Sequence, residues 1–104
     1  MVPKKIKTAL SRYKRLLLKN GFKVEKLLLY GSYAKGEQHR WSDIDVCIIA
    51  PEFVKNRSQQ RLKASLLAHQ IDPAIEIVPY SPRDWSENLV SPLLDQIRKT
   101  GVPI

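Results

Sequence analysis

A Gly-Ser pair at Gly31 and Ser32, followed after ten residues by Asp43 and Asp45, sets the chemistry this chain could perform. A small turn lets backbone N–H groups approach a phosphate, and paired carboxylates can hold divalent metal beside it. That combination suits an enzyme acting on a nucleotide. Lys35 and Arg40 lie in the intervening loop and keep their charge at neutral pH, which makes both candidates for phosphate contact. His39, in the same loop, reads as a solvated side chain. Trp41 reads as packing the loop against a sheet, with stacking on a base as its other role. The sequence has no Gly-x-x-x-x-Gly-Lys-Ser/Thr, so a P-loop hydrolase is excluded.

Two short aliphatic runs must position these residues. Lys26 to Tyr30 leads into the Gly-Ser pair and Asp43 to Ala50 begins with the aspartates; turn residues bound both, and both read as largely buried strands. Side chains alternate across a strand, which places Asp43, Asp45 and Cys47 on one face, the two carboxylates about 7 Å apart along the chain. Ala74 to Pro79 is a third strand, with Glu76 embedded in it. Upstream, Ile6, Leu10, Tyr13 and Leu17 recur at helical spacing, as expected of an amphipathic helix on the sheet. Asn56 or Ser58 is expected to cap a helix reaching Gln70, with Leu62, Leu66 and Leu67 inward and Arg57, Gln60 and Lys63 outward. Ser81-Pro82 opens a helical turn, and Ser91-Pro92 a final helix that keeps Leu93, Leu94 and Ile97 together and stops at Gly101. The fold class is α/β (α+β), with a small mixed sheet.

On Gly31, Ser32, Asp43 and Asp45, with Gly36 and Ser42 in support, the chain resembles the minimal nucleotidyltransferases of the DNA polymerase beta superfamily. The resemblance implies three to four strands backed by helices, and Gly31, Ser32, Lys35 and Ser42 as nucleotide-binding residues. It also implies catalysis with two Mg²⁺ ions, on Asp43 and Asp45 and a third carboxylate from a later strand. Glu76 is the acid available there, where the family often has Asp; Asp72 is next in line, although its place before Pro73 argues for capping. The implied reaction moves a nucleoside monophosphate, AMP from ATP, to a hydroxyl of a partner protein. Within the family the type implied is the antitoxin that modifies a helical HEPN toxin. A transferase acting on a small molecule is disfavoured, because those enzymes carry an additional helical domain. An inactive antitoxin or a nucleic-acid- or protein-binding module that masks its partner sterically is the alternative.

At 104 residues the chain is expected to be a single domain over 1–104, burying roughly two-thirds of its unfolded surface, with no room for a separate acceptor-binding domain. A partner or a second copy of the chain would have to supply that surface. The lone Cys47 excludes an internal disulfide and reads as a small core residue. No apolar run could span a bilayer, and a cytoplasmic location with no membrane partner is expected. Net charge is +8, with Lys4, Lys5, Lys7, Arg12, Lys14, Arg15, Lys19, Lys23 and Lys26 opposed only by Glu25 in the first quarter. Such a face attracts nucleic acid or acidic protein. With Tyr13 on the apolar stripe, no aromatic platform interleaves the outward charges of the helix, and the face reads instead as the solvated side of the first helix.

Overall fold

The computed structural model describes residues 2–87 and 91–104. In chain order it contains α1 (Lys4–Lys19), β1 (Lys26–Tyr30), α2 (Ser32–Lys35), β2 (Ile44–Ile49), a 3₁₀ turn (Pro51–Phe53), α3 (Arg57–Ile71), β3 (Ile75–Tyr80), α4 (Pro82–Ser86), α5 (Pro92–Thr100) and β4 (Val102–Pro103). The strands form one mixed sheet in the order β3-β2-β1-β4. β1 is antiparallel to both β2 and β4, whereas β2 and β3 are parallel. A parallel pair requires a crossover, and α3 supplies it. The expected α/β class and small mixed sheet are therefore present, with the short β4 closing one edge.

Strand alternation divides the apolar residues between two layers. Leu27, Leu29, Val46, Ile48, Ile75 and Ile77 face α1 and α3. Leu28, Tyr30, Cys47 and Ile49 face the other way, toward Ile97 of α5 and Trp85 of α4. As the periodicity requires, α1 buries Ile6, Leu10, Tyr13 and Leu17 and leaves its lysines and arginines outward. The Tyr13 hydroxyl donates to the Ala64 carbonyl at 2.7 Å and so ties α1 to α3 beneath the sheet.

The α3 face differs from expectation. Leu67 is buried, but Leu62 and Leu66 are 60% and 57% exposed, and the inward stripe is completed by Ala64 and Ala68. At 3.6 residues per turn the two exposed leucines lie roughly opposite that stripe. The small alanines let the helix backbone come close to the sheet and to Tyr13, so close approach selects the face, not side-chain size. Asn56 does occupy the N-cap position, but in a left-handed conformation with φ +52 and without a side-chain cap bond. Farther on, Ser81 and Asp84 form a reciprocal capping box on α4, and the Ser91 hydroxyl accepts from the Leu94 N–H at the start of α5. Among the described residues no helix is long and apolar enough to cross a membrane.

Candidate active site

The sheet register gathers the candidate side chains. Tyr30 pairs with Asp45, and Asp45 with Glu76, so the three stand abreast on neighbouring strands and on the face that also carries Cys47. Adjacent strands lie about 4.8 Å apart, which makes this row Tyr30–Asp45–Glu76 roughly 10 Å wide at the backbone. Asp43 falls just before β2, not within it as expected, and is exposed. Tyr30 was legible only as the end of a strand; its membership of the row follows from the β1–β2 pairing.

Gly31 ends β1 and precedes α2 with φ +74 and ψ −149, a backbone region open essentially to glycine alone. A Cβ built on Gly31 would collide with Oδ2 of Asp45. The Gly-Ser turn and the second aspartate, distant in sequence, are thus in contact across the hairpin. Ser32 begins α2, half-buried beside this contact, and Lys35 ends it with its side chain exposed. The Gly36 N–H returns to the Ser32 carbonyl and closes that short helix.

The loop after α2 is organised by its own polar groups. The Ser42 hydroxyl accepts from the His39 N–H at 2.9 Å, and His39 Nδ1 accepts from the Trp41 N–H at 3.3 Å. Ser42, expected to bind nucleotide, therefore also holds the loop that delivers Asp43. Trp41 does not pack the loop onto the sheet as expected: it is 79% exposed, with the Arg40 guanidinium over its ring at 5.1 Å. Asp72 behaves as a cap, its Oδ1 accepting from the Ala74 N–H.

Electrostatically the row is a site of unrelieved negative charge. Burial raises the Asp45 carboxyl above the ordinary range, and the carboxylates of Glu76 and Asp43 push it further in the same direction. Burial, then Asp45 and weaker neighbours, pushes the Tyr30 phenol upward, so it stays neutral. Burial alone raises the Cys47 thiol to about 12, which makes it an inert core group. Hydrogen bonds to carboxylates within the chain go to Glu52, Asp72, Asp84, Glu87 and Asp95, and among the described residues none reaches Asp43, Asp45 or Glu76. Nor does any ion pair. The three share one field without closing into a cage: among the described residues no three His, Cys, Asp or Glu side chains converge closely enough to hold a metal ion as they stand. The donor chemistry nonetheless fits a hard divalent cation, which takes carboxylate oxygens and relieves such repulsion.

A cleft of about 380 Å³ adjoins the row. Tyr30 and Glu76 form one wall, and Arg61, Ser65 and His69 of α3 the other. His69 is exposed near the end of α3. Nothing in the sequence spacing links α3 to the aspartates; the link is the crossover between β2 and β3.

The nucleotidyltransferase domain family's profile matches residues 4–91. The chain belongs to that family. It is 38% identical over 64 residues to the protein adenylyltransferase MntA of Shewanella oneidensis, a match covering 62% of this chain and 45% of that protein, so the chain spans less than half the length of that relative. Against MJ0128 of Methanocaldococcus jannaschii it is 31% identical over 91 residues, covering 82% of this chain and 92% of the relative. Among solved structures, a toxin–antitoxin with AMP-PNP superposes with a TM-score of 0.63 at 28% identity, covering 89% of this chain and 69% of that one. A mutant of the toxin–antitoxin MntA–HpeT matches with the same TM-score and coverage at 26% identity.

Two outcomes test this geometry. Gly31→Ala must place a methyl against Asp45 in a glycine-only conformation, and should lower the unfolding free energy in urea by about 1–3 kcal/mol; a loss of only a few tenths would contradict the contact. Asp45 gives a pH-dependent outcome. A carboxyl whose folded value lies above its unfolded value costs stability once ionised, and that cost disappears as pH falls below the unfolded value, about 3.9. Asp45→Asn should therefore melt higher than the parent at pH 7, with the gap closing near pH 3. A variant melting lower than the parent at pH 7 would contradict the repulsion.

Proposed function

We propose that this chain transfers a nucleoside monophosphate, AMP from ATP, to a hydroxyl of a partner protein, and that it does so as the antitoxin of a helical HEPN-type toxin. The observation that carries this reading is the row Tyr30–Asp45–Glu76 standing against the Gly31 turn. It puts a glycine turn, a carboxylate under like-charge repulsion and a candidate base within one short stretch of sheet. The protein adenylyltransferase name of the Shewanella relative and the AMP-PNP-containing toxin–antitoxin support the reading.

In this account Gly31 and Ser32 hold the phosphate tail through backbone N–H groups and the serine hydroxyl, with Lys35 and Ser42 contributing from the following segment. Asp43 and Asp45 would hold Mg²⁺, as two ions, with Glu76 contributing from the neighbouring strand. When bound, the cations supply charge neutralisation on the phosphates and a lowered pKa for the acceptor hydroxyl. Glu76, exposed at the end of the row, takes the hydroxyl proton as the acceptor oxygen bonds to the α-phosphorus and pyrophosphate leaves. Tyr30, kept neutral by burial, stands at the other end of the row and adds no further charge to it.

The absence of a closed three-carboxylate cage among the described residues favours one second reading, an inactive antitoxin that masks its partner sterically. Co-expression with the toxin followed by intact-mass measurement separates the two. Catalysis predicts toxin carrying one or more AMP units, absent with Asp43→Asn. Glu76→Gln should slow transfer by about 10²- to 10⁴-fold while ATP affinity holds. A toxin that binds stably yet stays unmodified under saturating Mg²⁺ and ATP would replace catalysis with masking.

A further inference from the structure

The outer edge of β3 continues the row one strand further. Parallel pairing sends the Ile44 N–H to the Ala74 carbonyl and the Ala50 N–H to the Tyr80 carbonyl, so the even-numbered residues of β3 turn their backbone groups toward β2. The odd-numbered residues turn theirs away. Of these outward groups, the Ile75 N–H is taken by the Asp72 carbonyl and the Pro79 carbonyl by the Arg57 guanidinium. Pro79 has no N–H to offer, the usual way of blunting an edge strand. Among the described residues, what has no outward partner is a short middle section: the Ile75 carbonyl and both the N–H and carbonyl of Ile77.

That section is not flush with the surface. It opens into the cleft of about 380 Å³ beside Glu76, which meets a second of about 260 Å³ lined by Arg57, Ser58 and Tyr80. The two share Arg61 and Val78 and together follow the β3 edge from the reactive row to the end of the strand. Arg61 is exposed and makes no ion pair among the described residues.

We propose that this edge is the acceptor dock: an extended segment of the partner protein, bearing a tyrosine, serine or threonine flanked by acidic residues, pairs antiparallel with β3 through Ile75 and Ile77. The inference rests on the nucleotidyl-transfer reading and adds to it how the acceptor is held. Alternation fixes the consequence. Residues directly opposite one another share a sheet face, so the partner residue opposite Glu76 becomes the fourth member of the row, its Cα about 4.5 Å from that of Glu76 in a non-hydrogen-bonded pair. Its hydroxyl then points over the face that carries Glu76 and Asp45. Free backbone donors and acceptors on an edge strand match those of an extended peptide, and the Arg61 guanidinium, without an ion pair among the described residues, suits acidic flanks.

The test uses the ¹⁵N-labelled chain, a positional library of nine-residue peptides with a central tyrosine and acidic flanks, and Mg²⁺ with ATP as separate titrants. Peptides should shift the Ile77 amide and slow its hydrogen exchange at least tenfold. A backbone N-methyl group on the peptide residue facing Ile77, or Arg61→Glu in the protein, should weaken binding at least tenfold. Mg²⁺ and ATP should move Gly31 and Ser32 in parent and Arg61→Glu alike. Peptides that bind without shifting Ile77, or that fail at millimolar concentration while Mg²⁺ and ATP still bind, overturn the dock and leave the transfer reading standing. No response of Gly31 and Ser32 to Mg²⁺ and ATP removes the transfer reading itself. Ile77 shifts caused by a single-stranded oligonucleotide, or by self-association on raising protein concentration, would assign the edge to nucleic acid or to a second copy and overturn the proposal as well.

Discussion

The contact between Gly31 and the Asp45 carboxylate constrains everything around it. It exists because β1 and β2 pair in a register that sets Tyr30 against Asp45, and because the residue after Tyr30 has no side chain. Shifting the register by one residue would turn Asp45 into the layer beneath α1 and α3 and Val46 out of it. The hairpin cannot slip in this way without turning Val46 and Ile48 out of that layer, so the hydrophobic layer holds the carboxylate in place. The reactive geometry is thus a by-product of core packing, made usable by one glycine.

Placing carboxylates so close together has a cost that the fold absorbs elsewhere. Asp45 is held above its ordinary pKa by burial and by Glu76 and Asp43, and none of the three finds a cationic partner among the described residues. Lysines and arginines are plentiful, with eighteen in the chain, yet α1 directs its share outward from the α1–α3 side of the sheet. On the nucleotidyl-transfer reading proposed above, the excess positive charge would draw an anionic nucleotide toward the molecule at long range and leave the carboxylates free for cations that arrive with it. The tie from Tyr13 to Ala64 and the capping box at Ser81 and Asp84 are the kind of local satisfaction that lets one strained row persist.

Much of this was legible in the residues, and the rest was not for identifiable reasons. β1 runs over the expected residues, and β2 and β3 lie within a residue of theirs, because short aliphatic runs between turn residues leave few other structures; the apolar stripe of α1 emerged from its 3.6 period. The Gly-Ser turn and the paired aspartates could be joined by spacing. Whether Leu62 or Ala64 faced the core could not, since that choice is made by how closely α3 approaches the sheet. β4 has two residues and no pattern to read. Trp41 was misplaced because its size suggested burial, whereas the loop is held by its own polar groups and the indole lies exposed beneath the Arg40 guanidinium. The alignment of Tyr30, Asp45 and Glu76, and the cleft that Arg61 and His69 share with Tyr30 and Glu76, are properties of register and crossover that only pairing reveals.

The central claim is that the row is destabilised by its own charge and relieved by cations bound together with nucleotide. Thermal melting of the parent and Asp45→Asn at pH 7, with and without saturating Mg²⁺ and ATP, tests it most directly. Ligand at a hundred times its dissociation constant stabilises the folded state by about 2.7 kcal/mol, enough to read as a clear shift in melting temperature. The account predicts a reversal of order: the variant melts higher alone, and the parent melts higher with Mg²⁺ and ATP. Equal upward shifts in both proteins would contradict it, because the nucleotide and its cations would then be binding without Asp45.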